Sequence, residues 1–371
     1  MRIAFVLPAV TAGGAERVAV TLCNQWQQTG HTVQLVTFEP PDGASHYEVH
    51  PKIDIVRLNF LRENRGSLKR GVNNAGRLVM LRRHLRAYAP DATVSFMTAT
   101  NVATLLASPG APWPTIVSER VHVPSHSFGS MWTMLRWGTY RRADALVVQT
   151  KAMAEWARVR LGITAEIIPN PVDIRRFNGG AEAKTDNARQ LLVAVGRLDP
   201  QKGFDLLIRA FASVAHRLED WDLTIYGEGA QRPQLEALIK ATAISDRISL
   251  PGVVRDIAPV YARASAVVHP SRYEGYPNVI AEALAAGKPI IATDCPGATS
   301  ELLAGGKFGI LIENEDLGAL QQALLDTLSS REKLAELSCA ARSANTLHEP
   351  ALIAERWISV FQRAIAARKA G

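Results

Sequence analysis

Two glutamates, Glu274 and Glu282, sit in the stretch Ser271–Gly287, which reads S-R-Y-E-G-Y-P-N-V-I-A-E-A-L-A-A-G. Pro277 suits the first turn of a helix and Gly287 its C-terminal stop. Glu274 then lies in the loop ahead of that helix, and Glu282 lies about a turn and a half inside it. The N–H groups of Asn278 and Val279 would face any phosphate placed at the helix start. A carboxylate such as Glu282 is able to accept two vicinal hydroxyls, as a ribose presents; the plainer alternative is a solvated helix glutamate.

A second cluster, Gly196-Arg197-Leu198-Asp199-Pro200-Gln201-Lys202-Gly203, follows an apolar run. Arg197 and Lys202 flank its turn, so two cations are expected to converge on one phosphate, arginine with a fork and lysine as a point charge. Two surface cations are the alternative. Gly13-Gly14-Ala15-Glu16 opens a further helix, and its glycines would let backbone N–H groups approach an anion. Neither first strand–helix turn carries G-x-G-x-x-G, and Arg232 stands three residues beyond Gly227-Glu228-Gly229. This disfavours an NAD-linked oxidoreductase. A P-loop enzyme is disfavoured too, because Pro289 follows Gly287-Lys288 and no glycine precedes Lys184-Thr185. Asp220-Trp221-Asp222 matches D-x-D literally, yet it opens a strand, and Arg197 and Lys202 already supply the charge a metal would. No metal is expected.

These residues need a frame. Apolar runs at 2–7, 32–38, 53–58, 92–96, 114–118, 144–149 and 165–168 predict one strand series. Runs at 190–195, 222–226, 247–250, 265–269, 288–292 and 308–312 predict another. Many are continuous, as in Leu191-Leu192-Val193-Ala194-Val195, the pattern of strands buried on both faces of a parallel sheet. Helical patterns alternate with them at 15–29, 71–88, 130–142, 151–161, 204–218, 230–243, 277–286, 316–345 and 351–369. The alternation predicts two doubly wound, Rossmann-like α/β domains. Ile168-Pro169-Asn170-Pro171 marks the boundary, giving domains at 1–169 and 170–350.

The 371 residues are 47% hydrophobic and 21% charged, enough for two cores and too apolar for a disordered chain. Formal net charge is +7, unevenly spread: residues 1–169 hold 19 Lys/Arg against 11 Asp/Glu, and the remainder 23 against 24. Nine basic residues fall within 57–86, among them Lys69, Arg70, Arg77, Arg82, Arg83 and Arg86, against the single acid Glu63. This stripe predicts either a solvated helix face or docking on an anionic membrane or a lipid diphosphate. Met131, Trp132, Leu135 and Trp137, interleaved with Arg136, Arg141 and Arg142, either widen that surface or pack in the core. No nucleic-acid recognition motif accompanies the charge. Cys23, Cys295 and Cys339 form no C-x-x-C, which fits a reducing, cytoplasmic setting. The apolar run 3–10 contains Pro8 and is too short to span a bilayer.

The spacing E-x7-E within E-G-Y-P-N-V-I-A-E-A-L-A-A-G-K-P-I-I-A-T resembles the signature of retaining glycosyltransferases of family four, of GT-B fold. G-G-A-E-R, I-P-N-P-V-D and V-G-R-L-D-P-Q-K-G-F-D extend the resemblance over nearly the whole chain. It implies two Rossmann-like domains facing a central cleft, the first binding acceptor and completed by a C-terminal helix at 351–371, the second binding donor. Arg197 and Lys202 would neutralise the donor diphosphate. Glu274 would face the transferred sugar, Glu282 hold the ribose, Tyr276, Pro277, Asn278 and Val279 line the sugar and β-phosphate, Gly14 approach from the first domain, and Val254 read a uracil. Relatives carry a histidine after the glutamate of a first-domain loop. Here Ser118-Glu119-Arg120-Val121-His122 puts Arg120 there, so either Arg120 substitutes or His122 reaches in, with Glu119 on the acceptor or sugar side or purely structural.

The implied reaction moves a sugar from a UDP-sugar, UDP-GalNAc or UDP-Gal first, to a lipid-linked or surface-glycan acceptor. The wording resembles enzymes of O-antigen, capsule and exopolysaccharide assembly, working in the cytoplasm or peripherally on the inner membrane face. Glu274 and Glu282 are not placed as the facing pair that a covalent intermediate needs, which favours same-face displacement. A catalytically silent sugar-nucleotide-binding module is the further alternative, kept open by Arg120.

Overall fold

The computed structural model describes every residue except 12, 44, 60–66, 122, 124–128, 179–188, 345–347 and 371; for 67–75, 130 and 178 it describes the backbone alone. Two compact units divide it: Met1–Pro171 with Pro350–Gly371, and Val172–Glu349.

In the first unit, seven parallel strands lie in the order β3-β2-β1-β4-β5-β6-β7. They are β1 (Arg2–Leu7), β2 (Thr32–Thr37), β3 (Asp54–Arg57), β4 (Ala92–Phe96), β5 (Thr115–Ser118), β6 (Ala145–Val148) and β7 (Glu166–Ile167). The crossovers carry α1 (Gly14–Gln28), α2 (Ser67–Tyr88), α3 (Thr98–Ala107), α4 (Gly129–Tyr140) and α5 (Lys151–Leu161). Every residue of β4 and all but the first of β1 are buried, as a sheet covered on both faces requires. Helix α3 has no counterpart in the sequence expectation. Its segment TATNVATLLA is buried at seven of ten positions and so lacks a polar face to mark it.

The second unit begins with the short α6 (Arg175–Asn178). Its six parallel strands, in the order β10-β9-β8-β11-β12-β13, are β8 (Gln190–Val195), β9 (Trp221–Tyr226), β10 (Ile248–Gly252), β11 (Ala266–His269), β12 (Ile290–Thr293) and β13 (Ile310–Ile312). Around them stand α7 (Phe204–Val214), α8 (Arg232–Lys240), α9 (Ala258–Arg263), α10 (Asn278–Ala285), α11 (Thr299–Leu302), α12 (Leu317–Leu328) and α13 (Arg331–Ser343). The single helix expected over 316–345 is two, because the Ser330 hydroxyl accepts from Lys333 N at 3.1 Å and starts a new helix there.

Helix α14 (Pro350–Ala370) returns to the first unit. Trp26 of α1 donates its indole N–H to Ala354 O at 3.2 Å, and its ring meets Phe361 edge-on at 5.3 Å. Trp357, Val360 and Phe361 join the core formed by β1, β4 and α1. Both sheets reverse winding beside their first strand, between β1 and β4 and between β8 and β11. Open α/β sheets bind ligands outside the carboxyl ends of the strands at such switch points.

Candidate active site

In the second unit, the loops leaving β8 and β11 meet at that switch point. Glycines permit the meeting. Gly203 holds φ +64°, and a Cβ there would stand 2.1 Å from Pro270 O. Gly297, at φ +133°, would put one 1.8 Å from Glu274 O. Arg272 staples the same loops, forking onto Asp205 at 3.0 and 2.9 Å and reaching Glu315 at 2.9 Å and Pro200 O at 2.5 Å.

At the centre Lys202 Nζ donates to Glu274 Oε1 at 2.6 Å, although 72 residues separate them. The Glu274 side chain is buried and that of Lys202 half-buried. His269, the last residue of β11 and also buried, brings Nε2 to 3.1 Å from the same oxygen, within ion-pair reach but off the line of a straight hydrogen bond. Burial by itself would raise the Glu274 pKa. The Lys202 charge, helped by His269, overrides it and holds the carboxyl well below the usual range. Glu274 is therefore a buried anion whose principal counter-ion is the Lys202 ammonium, carried on a flexible four-carbon stem.

Arg197 lies elsewhere in its loop's bonding. Its Nε donates to Asp199 Oδ2 at 2.6 Å and its side chain is 70% exposed. The two cations expected to converge are thus each held by a separate carboxylate in this structure. Glu282 is buried on α10, not solvated: Tyr261 donates its hydroxyl to Glu282 Oε2 at 3.1 Å and to Val279 O at 3.3 Å. Pro277 is the N-cap residue, and helix α10 begins one residue later, at Asn278. The first intrahelical donors are Ile280 and Ala281, both to Pro277 O. Tyr276 and Val279 are half-buried against the cluster below α10, and the Tyr276 hydroxyl meets His348 Nδ1 at 3.1 Å. Val254, just after β10, packs half-buried against the same cluster.

Asp222 Oδ1 accepts from Arg189 Nε at 2.7 Å, with Arg247 Nε at 3.8 Å, so guanidinium groups take up the second carboxylate of the D-x-D match. Among the described residues no group of three or more His, Cys, Asp or Glu is gathered as a metal would need.

In the first unit, Gly14 opens α1 behind Gly13, whose N–H donates to the Tyr47 hydroxyl at 3.1 Å. The Glu16 carboxylate folds back over Gly13, where a Cβ would stand 2.1 Å from its Oε2. Glu119 is fully enclosed. Thr98 Oγ1 lies at 2.8 and 3.0 Å from its two oxygens, Tyr140 donates at 2.8 Å, and Arg136 Nε stands at 3.5 Å. Burial pushes its pKa up against these partners. Of the two roles open to Glu119, these surroundings fit that of a structural carboxylate. Arg120 donates to Asn170 Oδ1 and lies 4.1 Å over the Phe96 ring. His122 lies outside the described residues.

Of the basic stripe, α2 buries Leu81 and Leu85 and exposes Arg83, Arg86, Val79 and Met80, with Arg77 and Arg82 half-buried. Lys69 and Arg70 fall outside the residues whose side chains are described. Arg57 is paired with Glu39 at 3.0 Å. On α4, Trp132 and Leu135 pack against the core and Arg136 is buried on Glu119, whereas Met131, Met134 and Trp137 are 58%, 66% and 51% exposed.

Comparison with known proteins decides the family. Residues 12–176 match the model described as Glycosyltransferase Family 4, and residues 189–330 that described as Glycosyl transferases group 1. The chain belongs to the family-four type of glycosyltransferase. Its relatives include the alpha-1,4-N-acetyl-D-galactosaminyltransferase of Campylobacter jejuni named for GalNAc-alpha-(1->4)-GalNAc-alpha-(1->3)-diNAcBac-PP-undecaprenol. That protein is 26% identical over 365 residues, 97% of this chain and 98% of the relative. The lipopolysaccharide core biosynthesis mannosyltransferase LpsB of Rhizobium meliloti is 30% identical over 56% of this chain and 60% of its own. Among solved structures, sucrose-phosphate synthase from Thermosynechococcus elongatus superposes with TM-score 0.85 at 18% identity, covering 99% of this chain and 100% of that one. Anabaena HepE in complex with UDP-glucose superposes at 0.79 and 20%, covering 98% and 100%. The glycosyltransferase has the GT-B fold.

The sequence singles out Lys202, Glu274 and Glu282 but not His269 and Tyr261, which lie against the two glutamates. His269 carried a readable signal, a polar residue closing an otherwise apolar parallel strand. Tyr261 carried none, being one apolar-pattern residue among several in α9.

Proposed function

We propose that this glycosyltransferase transfers a sugar, with retention, from a UDP-sugar to a lipid-linked or surface-glycan acceptor. The observation that carries the reading is the Lys202–Glu274 pair at the β8–β11 switch point. An ammonium there suits a phosphate, and an ionised carboxylate beside it suits sugar hydroxyls. Glu282, oriented by Tyr261, would take the ribose; Arg197 would leave Asp199 for the diphosphate; Val254 would meet the base, and Asn278 and Val279 the β-phosphate. UDP-GalNAc and UDP-Gal are the first donors to try, a choice supported by the name of the Campylobacter relative; the UDP-glucose complex of HepE supports a uridine donor.

Glu274 pairs with Lys202 and Glu282 with Tyr261, which supports separate roles over a nucleophile–acid pair; the acceptor oxygen would then bond to the anomeric carbon on the face from which the diphosphate departs. The bonding electrons leave with UDP, and the hydroxyl proton passes to a β-phosphate oxygen. The protein's share is positioning and charge stabilisation by Lys202 and Arg197, with no metal called on. The diphospho-undecaprenol in the relative's name supports an acceptor at a membrane. No helix among the described residues is long and apolar enough to cross one. The exposed Arg83 and Arg86 of α2 would then serve peripheral docking on the cytoplasmic face.

Thermal stabilisation by a panel of UDP- and GDP-sugars, followed by transfer onto polyprenyl-diphosphate sugars, tests the reading. Selective stabilisation by UDP-sugars and a loss of transfer by about a hundredfold or more in Glu274→Ala are expected. Full activity in that variant would remove the role of Glu274, and stabilisation by GDP-sugars alone would remove the uridine donor.

A further inference from the structure

We infer that Glu274 is an internal competitor for Lys202, and that this competition makes the site reject a bare nucleoside diphosphate in favour of one carrying a sugar. The inference rests on the reading of Lys202 as a donor-phosphate ligand and extends it. The Lys202 stem runs across Gly196, where a Cβ would stand 3.2 Å from Lys202 Cδ, so the missing side chain leaves the stem room on its way to the carboxylate. The resulting bond is 2.6 Å long and joins a half-buried ammonium to a buried carboxylate.

A diphosphate arriving at Lys202 needs the same N–H donors that Glu274 engages. If it draws the ammonium away, a buried carboxylate is left with His269 alone. If it does not, two anions crowd one cation. Either outcome is costly, because a buried carboxylate that loses its counter-ion is an uncompensated charge. A sugar on the β-phosphate alters the balance, since its hydroxyls are donors. Glu274 then loses one partner and gains others from the same ligand. UDP has no sugar hydroxyl to offer at this position, so the penalty falls on the product and spares the donor. Specificity of this kind works by a repulsive element against the wrong ligand. His269, 3.1 Å from Glu274 Oε1, is the neighbour that remains beside the carboxylate during the exchange.

Calorimetric titration of the full chain with UDP and with the UDP-sugar that stabilises it most tests the inference. The proteins needed are wild type, Glu274→Gln, Lys202→Met and the double variant. Glu274→Gln is expected to bind UDP about tenfold more tightly than wild type, with the preference for UDP-sugar over UDP falling by a similar factor. In the Lys202→Met background the same glutamine should bring no gain, because nothing remains to compete for. The double variant removes both charges together, so it stays informative if Glu274→Gln fails to fold: a gain in UDP affinity over Lys202→Met would overturn the inference. UDP affinity unchanged or weakened in a folded Glu274→Gln, with wild type still binding UDP-sugar, also overturns it and leaves the donor reading intact. Failure of wild type to bind any UDP-sugar removes the donor reading itself.

Discussion

Glu274 and Glu119 are both buried carboxylates, yet their surroundings shift them in opposite directions. At Glu119 burial outweighs Arg136 and the Tyr140 and Thr98 hydroxyls, and the pKa rises. At Glu274 burial is outweighed by the Lys202 charge and by His269, and the pKa falls. The depressed group binds fewer protons in the folded than in the unfolded chain. Its stabilisation is therefore present above the ordinary value of 4.5 and is lost as pH falls below it toward the folded value. Glu119 acts in the other sense: its contribution is full below 4.5 and declines as pH rises toward its raised folded value. Urea unfolding of wild type between about pH 3 and 6 should thus show a slope that Glu274→Gln reduces, with stability in the variant falling less on acidification. An identical slope in the two proteins would mean that Glu274 is not ionised against Lys202 in the folded state.

At the scale of elements, the sheet was legible and the meeting of loops was not. Continuous runs such as Ile3–Leu7 and Leu191–Val195 announce strands buried on both faces, and the structure pairs both in parallel. Pro277 and Gly287 bracket α10 to within one residue. Nothing in the spacing could say that Lys202 bonds Glu274 across 72 residues, because that contact depends on strand order and on glycines that let Gly203 pass Pro270. Helix α3 was invisible for the opposite reason, having too few exposed positions to show a period. The exposed side of α2 belongs to this scale as well. Reversing the charge of Arg82, Arg83 and Arg86 should weaken sedimentation with anionic vesicles by about 3 kcal/mol, roughly a hundredfold, and leave neutral vesicles unaffected. Binding to anionic vesicles that survives the reversal would return α2 to a solvated face.

For the whole molecule, the chain's positive surplus and its connectivity fall on the same unit. Residues 1–169 carry 19 Lys/Arg against 11 Asp/Glu, and the unit that contains them closes only with Pro350–Gly371. The second unit is continuous, Val172–Glu349, with its own cores around Phe204, Phe211 and Leu223 and around Tyr261 and Ile280. The two units should therefore respond differently to dissection. Residues 172–349 produced alone are expected to fold cooperatively, since the Lys202–Glu274 pair, the Arg272 staple and every strand of their sheet stay within the fragment. Residues 1–171 alone lose Ile353, Trp357, Val360 and Phe361 from the core against Trp26, Phe5 and Phe96. Each such side chain contributes about 1.5–3 kcal/mol by burial, so the loss rivals the 5–15 kcal/mol that keeps a typical domain folded. That fragment should lack a cooperative thermal transition and recover one when 350–371 is supplied through a linker or as a peptide. The milder probe is Trp357→Ala in the full chain, expected to destabilise the first unit by about 3–5 kcal/mol while leaving the melting of the second unchanged. A fragment 1–171 that melts cooperatively by itself would show that α14 is an attachment to the first core and not part of it.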